Sequence, residues 1–329
     1  RMLGLFLVLP VFALEAARYP GGDDPARVGL AMGIYGLTQA LLQIPLGMAS
    51  DRFGRKRVIL LGLALFAVGS AVAAWAPSLD ALIVGRALQG AGAISAAITA
   101  FLADVTRDEV RTKAMALVGV SIALMFALSL VAAPVLAAHI GLHGLFWLTT
   151  GLALTGMAVV AWVVPPEPRE HVDAGRRGLA EVLRHTGLLR LDLGVFVLHA
   201  VQLAMWMAVP ALLVQAGLAA ERHWVVYLLA LVGSFVVMGG VLFRLERRGH
   251  LRVVFLFAIG LILLVQLGFW WSATQGASLT ALGIGLFLIF LGFNTLEASQ
   301  PSLASRLAPA HARGAALGVA HQAGGIGQA

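Results

Sequence analysis

Gly47-Met48-Ala49-Ser50-Asp51-Arg52-Phe53-Gly54-Arg55-Lys56-Arg57 joins two long apolar runs, 28–50 and 58–76. A bilayer crossing takes about 20 mostly apolar residues, and each run is long enough. A short, strongly charged turn between two such runs reads as a hairpin of membrane helices. Gly47 allows another helix to approach the end of the first run, and Gly54 permits a tight turn at positive φ. Asp51 is badly placed for its own helix, whose C-terminal end is already negative. It is better explained as an acceptor for a neighbouring helix N-terminus or an arginine. Arg52, Arg55, Lys56 and Arg57 hold the turn on the cytoplasmic side.

The pattern repeats outward from this turn. Apolar stretches of spanning length run over 2–17, 28–50, 58–76, 81–102, 114–138 and 145–164. After a polar stretch they resume over 191–215, 223–243, 253–271 and 278–303, with an eleventh beginning at 315. The runs are too uniformly apolar for barrel strands, which alternate, so helices are expected throughout. Composition agrees: of 329 residues, 60% are hydrophobic and 12% charged, about half the charge of an ordinary soluble domain. There is no cysteine, which excludes disulfides and thiolate metal sites. The expected class is an all-α polytopic membrane protein. Arginine at the first position and an unfinished apolar run at the end suggest a piece of a longer chain.

Charge sets the expected orientation. With residue 1 in the cytoplasm, that side receives Arg1; Arg52, Arg55, Lys56 and Arg57; and Arg107, Arg111 and Lys113. It also receives Arg169, Arg176, Arg177, Arg184 and Arg190; Arg244, Arg247, Arg248 and Arg252; and Arg306 and Arg313. Those nineteen oppose three on the outer side, Arg18, Arg27 and Arg222, while Arg86 lies within a span. This is a strong positive-inside bias. It also removes the nucleic-acid reading of a +7 chain, because the basic residues are divided among short loops facing lipid headgroups.

Residues 165–190 divide the chain into six spans before and the remainder after. Leu179, Val182 and Leu183 have helical spacing among Arg176, Arg177 and Arg184. That suits an amphipathic helix on the cytoplasmic face or a solvated tether. The expected organisation is an N-terminal six-helix bundle over 1–164, this linker, and a second bundle over 191–329. A weak repeat supports two halves: Asp51-Arg52-Phe53-Gly54-Arg55 after the second span has a counterpart in Glu246-Arg247-Arg248-Gly249-His250 after the eighth. Parallel repeats suit a transporter whose bundles rock against each other.

The 47–57 segment resembles the signature loop of the major facilitator superfamily. Arg86-Ala87-Leu88-Gln89-Gly90-Ala91-Gly92 resembles the second signature of its drug/proton antiporter branch. Arg1 to Gly4, Gly33 to Gln39, Arg111 to Ala116, Gly141 to His143, His199 and the Asn294–Glu297 pair look like bacterial YajR-type efflux transporters. The resemblance implies twelve spans in two six-helix bundles, with a small soluble domain after the last. One segment departs from it. The glycine-rich antiporter signature of the fifth span reads Ser129-Leu130-Val131-Ala132-Ala133-Pro134 here, keeping Pro134 and its bend while alanine and serine replace the glycines. By resemblance, Asp51 latches the halves at the cytoplasmic face in the outward-open state, with Asp104 and Arg111 in the same charge network; the plainer alternative is interfacial charge.

Ionisable groups inside a bilayer are costly and default to functional hypotheses. Arg86 lies five residues into its span, roughly 8 Å deep at about 1.5 Å per residue. Glu15 lies at similar depth near the outer end of the first span, so a Glu15–Arg86 pair is depth-compatible. A carboxylate balanced between an arginine's charge and the cost of burial exchanges protons as its surroundings change. The alternative is that Glu15 reaches the surface and Arg86 only holds helices together. Glu297 and His199 fall toward the cytoplasmic side of cavity-lining spans and are further candidates for proton coupling, or packing groups. Phe12, Tyr35, Met205, Trp206, Phe293 and Asn294 are candidates for an apolar substrate cavity. His139 and His143 have i,i+4 spacing but no third ligand, so no metal is expected.

No nucleophile–base set, phosphate loop or ATP site is visible, so the chain is not expected to be an enzyme and needs no cofactor beyond a proton gradient. The expected function is proton-driven export of small amphipathic or drug-like compounds by alternating access. A proton-coupled importer and a non-transporting membrane sensor remain as alternatives. The expected partners are the bilayer of a bacterial inner membrane, protons and a small-molecule substrate, handled by a monomer.

Overall fold

The computed structural model describes residues 1–165, 185–242, 250–276 and 278–307. All regular structure among these residues is helical. The first half comprises α1 (Met2–Ala16), α2 (Pro25–Phe53), α3 (Arg55–Ala74), α4 (Leu79–Ala91), α5 (Ser95–Val105) and α6 (Asp108–Trp162). The second comprises α7 (Thr186–Gln215), α8 (His223–Val237) with a π-turn at Met238–Leu242, α9 (Leu251–Gln275) and α10 (Leu279–Leu307). Helix starts follow local chemistry. Asp24 accepts from the Ala26 N–H ahead of α2, with Pro25 in the first turn; Ser78 caps α4 through the Ala81 N–H. Both satisfy donors that a helix N-terminus leaves unpaired.

Helices stand at all ten expected spans, but three boundaries differ. The fourth span is two helices, broken over Gly92, Ala93 and Ile94. The fifth and sixth are one helical stretch interrupted at Gly141, which takes φ +64° and ψ −179°. The apolar part of that stretch, Leu117–Trp162, has 46 residues. Straight, it would extend for about 70 Å at about 1.5 Å per residue, over twice the hydrocarbon thickness of about 30 Å. Instead it folds back. The Ser129 hydroxyl reaches the Leu3 carbonyl at 3.5 Å, and the Thr149 hydroxyl the adjacent Gly4 carbonyl at 3.3 Å. Residues on either side of Gly141 therefore meet one turn of α1, and α6 is a two-armed hairpin. Pro134 stays inside the first arm, and the departure from helical angles is at Gly141. The third boundary to shift belongs to the linker: residues 186–190 already belong to α7. The rest of the amphipathic segment, the 246–249 half of the repeat and the eleventh span lie outside the described residues.

α2 bends by 44° between 25–43 and 45–53. Pro45 stands at the bend and explains it, lacking an N–H and crowding the carbonyl four residues back. Packing within the first half rests on glycine. A methyl on Gly69 would overlap the Gln89 backbone N, and one on Gly90 would overlap Thr38 Oγ1 and the Tyr35 carbonyl. α4 thus sits backbone to backbone against α3 and α2, the close approach that small residues allow in membranes. Gly47, expected to play this part, has an ordinary contact with Ala96 at 3.5 Å and room for a methyl.

One buried apolar cluster joins the halves through Phe12, Leu130 and Phe146 on one side and Trp206, Val209 and Tyr227 on the other. It runs to the pole that carries the α1–α2 and α3–α4 turns. Toward the opposite pole, where the 47–57 turn lies, clusters form within one half or the other. Ile59, Leu63, Ile94 and Phe101 gather in the first, and Met238, Val254 and Leu291 in the second. Among the described residues no buried cluster bridges the halves at that basic pole.

Candidate functional site

Three groups of side chains stand out, at the basic pole, in the interior of the first half and in the interior of the second. At the basic pole, Gly54 takes φ +99° and ψ 139°, an arrangement that L side chains rarely adopt. This lets α3 start immediately after α2 ends. Arg55 becomes the hub: it pairs with Asp51, donates Nε–H to Asp104 at 3.0 Å and an η-N–H to the Ser50 hydroxyl at 2.7 Å. Asp51 therefore takes an arginine, as its position demanded, and the partner is its own neighbour. Lys56 turns the other way and donates to the Ala161 and Val164 carbonyls at 3.0 and 2.9 Å. It caps the end of the second α6 arm, where the last carbonyls of a helix lack partners. The turn thus ties α2, α3, α5 and α6 together. Arg52 lies over the Phe53 ring at 5.4 Å. The Arg111 side chain lies outside the described residues.

Inside the first half, Arg86 is fully buried, at 1% exposure. Its guanidinium lies 4.7 Å from the Tyr35 ring centre and 5.5 Å from that of Phe12. It donates to Gln89 Oε1 at 2.9 Å and to the Met32 carbonyl at 3.4 Å. Gln89 in turn donates to Ser70, and Ser70 to the Phe66 carbonyl, each at 2.7 Å. A charged residue at the middle of a bilayer helix costs about 2.5–3.5 kcal/mol on insertion scales, and a desolvated cation–π contact returns about 2 kcal/mol. Two rings and the glutamine therefore suffice in size to hold this charge. The expected Glu15–Arg86 pair is not made here. Glu15 binds Arg18 at 2.9 Å, one helical turn on, and lines an open depression of about 400 Å³ at the far pole with Tyr19, Pro77 and His143. The i,i+3 neighbour was the closer competitor.

Arg1 also enters this interior. It donates to the Tyr35 hydroxyl at 2.7 Å, Gln39 Oε1 at 2.6 Å and the Ser95 hydroxyl at 3.1 Å. Counted above as a loop charge, Arg1 instead reaches into the bundle, so eighteen basic residues remain on its side; the asymmetry stands. The signal that could have revealed this interior is Tyr35, Gln39 and Gln43, spaced by four within an apolar span and all nearly buried. At that spacing they share one helix face.

In the second half, His199 and Glu297 come together, with Nε2 and Oε2 3.6 Å apart. That is within ion-pair reach and beyond a hydrogen bond. His199 Nδ1 lies 2.9 Å from the Val195 carbonyl. A carbonyl only accepts, so Nδ1 carries a proton, and a neutral His199 presents its Nε2 lone pair to Glu297. The imidazole of α7 and the carboxylate of α10 thus face each other without sharing a hydrogen bond. Phe293 packs edge-on against the imidazole, ring centres 5.7 Å apart. Met205 and Phe293 line a hollow of about 10 Å³ with Leu198, Gln202 and Phe290, the room one water needs. Asn294 donates to Ser234 at 3.2 Å. Trp206 closes the halves instead of lining a cavity: it meets Phe126 at 6.4 Å and Tyr227 at 5.4 Å. Asp192 was missed. It lies seven residues before His199, two turns down one face of α7, with Oδ2 buried and unpartnered among the described residues. Its place at the edge of a polar stretch made it look like surface charge.

The Major Facilitator Superfamily model matches residues 1–329. The inner membrane transport protein YajR of Escherichia coli is 43% identical over 324 residues, covering 97% of this chain and 70% of its own. An uncharacterized transporter of Buchnera aphidicola is 33% identical over 324 residues, covering 97% of this chain and 82% of its own. Among solved structures, a bacterial homolog of the human lysosomal transporter Spinster, inward-facing and unoccupied, superposes with a TM-score of 0.74 at 15% identity. That match covers 99% of this chain and 77% of the other, and speaks for the fold.

Proposed function

We propose, from the premise that this chain belongs to the major facilitator superfamily, that it exports small amphipathic compounds across a bacterial inner membrane in exchange for protons. Membership makes it a multi-pass transporter and not an enzyme. The observation that supports proton coupling is the His199–Glu297 contact, an imidazole and a carboxylate 3.6 Å apart on two helices of the second half. The apolar cluster that joins the halves at one pole, with none at the other among the described residues, supports alternating access. On this reading the positive-inside bias puts the 47–57 turn and the N-terminus in the cytoplasm, and the pole without a bridging cluster among the described residues is the inward one. Loading of substrate from that side and release of the proton there are then steps of one half-cycle. Rocking opens the Trp206–Phe126 contact and exposes the pair to protons from outside. The 47–57 turn, with Asp51 freed from Arg55, latches the basic pole in the opposite state.

The test is reconstitution of the full-length protein in liposomes that enclose a pH-sensitive dye, with an imposed proton gradient. A panel of amphipathic cations, acids and neutral compounds is added in turn. The expected result is proton movement opposite to the compound, abolished by Glu297→Gln and by Asp51→Asn. Proton movement in the same direction as the compound would make the protein an importer. Binding with no flux in either vesicle orientation would make it a sensor.

A further inference from the structure

Arg1 and Arg86 meet around Tyr35, the first at its hydroxyl and the second over its ring. Those contacts put the guanidiniums on the order of 10 Å apart, close enough to repel in a low-dielectric interior. Every acceptor they use is neutral: Tyr35, Gln39 and Ser95 for Arg1, and Gln89 and the Met32 carbonyl for Arg86. Among the described residues neither forms an ion pair with a carboxylate. The acidic residues of this half stand at its poles, where Glu15, Asp51, Asp80 and Asp104 are engaged with Arg18, Arg55 or Arg27. Each guanidinium has five N–H donors and no acceptor, and both Nε–H groups are buried without a partner. The interior of the first half is therefore short of negative charge, although Gln43 Oε1 is also buried there without a partner.

We propose that this two-arginine site binds the anionic group of the transported compound, a carboxylate or another oxyanion, so that the substrate class is amphipathic organic acids. Arg1, partly exposed, makes the direct contact, with its planar fork suited to two oxygens. Arg86 stays behind Tyr35 and supplies the second charge. The apolar part of the compound extends toward Met205, Phe290 and Phe293 of the second half, whose hollow of about 10 Å³ must widen to receive it. A cation there would meet two like charges, which argues against lipophilic cations as substrates. The inference rests on the transporter reading above and names the substrate class of that site.

Equilibrium binding to the purified full-length protein in detergent tests it, with three acid and amide pairs: 2-naphthoate and 2-naphthamide, decanoate and decanamide, 4-phenylbutyrate and its amide. At least one acid should bind about tenfold tighter than its amide, the size of one charge-assisted hydrogen bond. Arg1→Gln should erase that preference while the amide still binds. Gly119→Ala, which meets nothing within 4 Å, should keep it. If Arg1→Gln fails to fold, Arg1→Lys carries the test: charge stays, the fork goes, and the preference must shrink. No acid preferred over its amide in any pair overturns the proposal, as does an unchanged preference in the Arg1 variants. The measurement needs no gradient. Proton-coupled flux without acid preference would overturn this inference alone, and acid preference without flux would overturn the export reading alone.

Discussion

Glu297 and His199 share one function only if they act as a unit, and units are non-additive under mutation. Glu297→Gln and His199→Gln should each lower proton-coupled flux at least about tenfold, and the double variant should be no worse than either alone. Additive losses in the liposome assay would separate the two residues. Arg55 makes a similar argument at the basic pole. It binds Asp51 and Asp104 in the same half, so Asp104→Asn should weaken the packing of α5, read as a lower melting temperature. Asp51 is largely exposed and locally paired. Its loss should leave the melting temperature within about a degree while suppressing transport, if the latch proposed for it forms in the other state. The presence of Asp51, Arg86, His199 and Glu297 as candidates was legible from charge in apolar surroundings. Their partners were not, since sequence distance says nothing about which of several depth-compatible groups lies nearest.

Glycines separate elements that touch from elements that merely neighbour. Gly90→Ala drives a methyl into Thr38 and the Tyr35 carbonyl, joining α4 to α2, and overpacking of this kind costs about 1–3 kcal/mol. Gly119→Ala meets nothing within 4 Å and should be silent. Thermal unfolding of the two variants side by side checks the pair. Gly54→Ala should destabilise by about 1–3 kcal/mol through backbone strain alone, whereas Gly47→Ala should be tolerated. The two glycines of one signature thus have opposite expected sensitivities. The turn chemistry was readable in the Gly54 position; the close approach expected at Gly47 falls instead at Gly90 and Gly69, because α4, not α5, lies deepest between its neighbours.

For the whole molecule, closure at one pole includes Phe126 edge to face with Trp206 across the halves, with Tyr227 backing Trp206 from within the second half. Such ring pairs are worth about 0.5–1.5 kcal/mol each beyond their buried area. Trp206→Ala should therefore shift the conformational balance toward opening at this pole. Spin labels placed on the α3–α4 turn and near Glu221 should report a longer distance in the variant. An unchanged distance distribution would show that the aromatic contact does not hold the gate.

The sequence alone determined that the chain is a set of membrane helices, where the turns fall and which end of each carries the positive charge. Hydropathy and loop charge are local properties, and a bilayer reads them one segment at a time. It also marked the ionisable residues that apolar surroundings make costly. Tertiary structure decided the rest. Arg1 turns inward to Tyr35, Glu15 chooses Arg18 over Arg86, His199 finds Glu297 from ninety-eight residues away, and a buried cluster joins the halves at one pole. Pairing between charges and closure between bundles depend on distances that the chain sets only after its helices have packed.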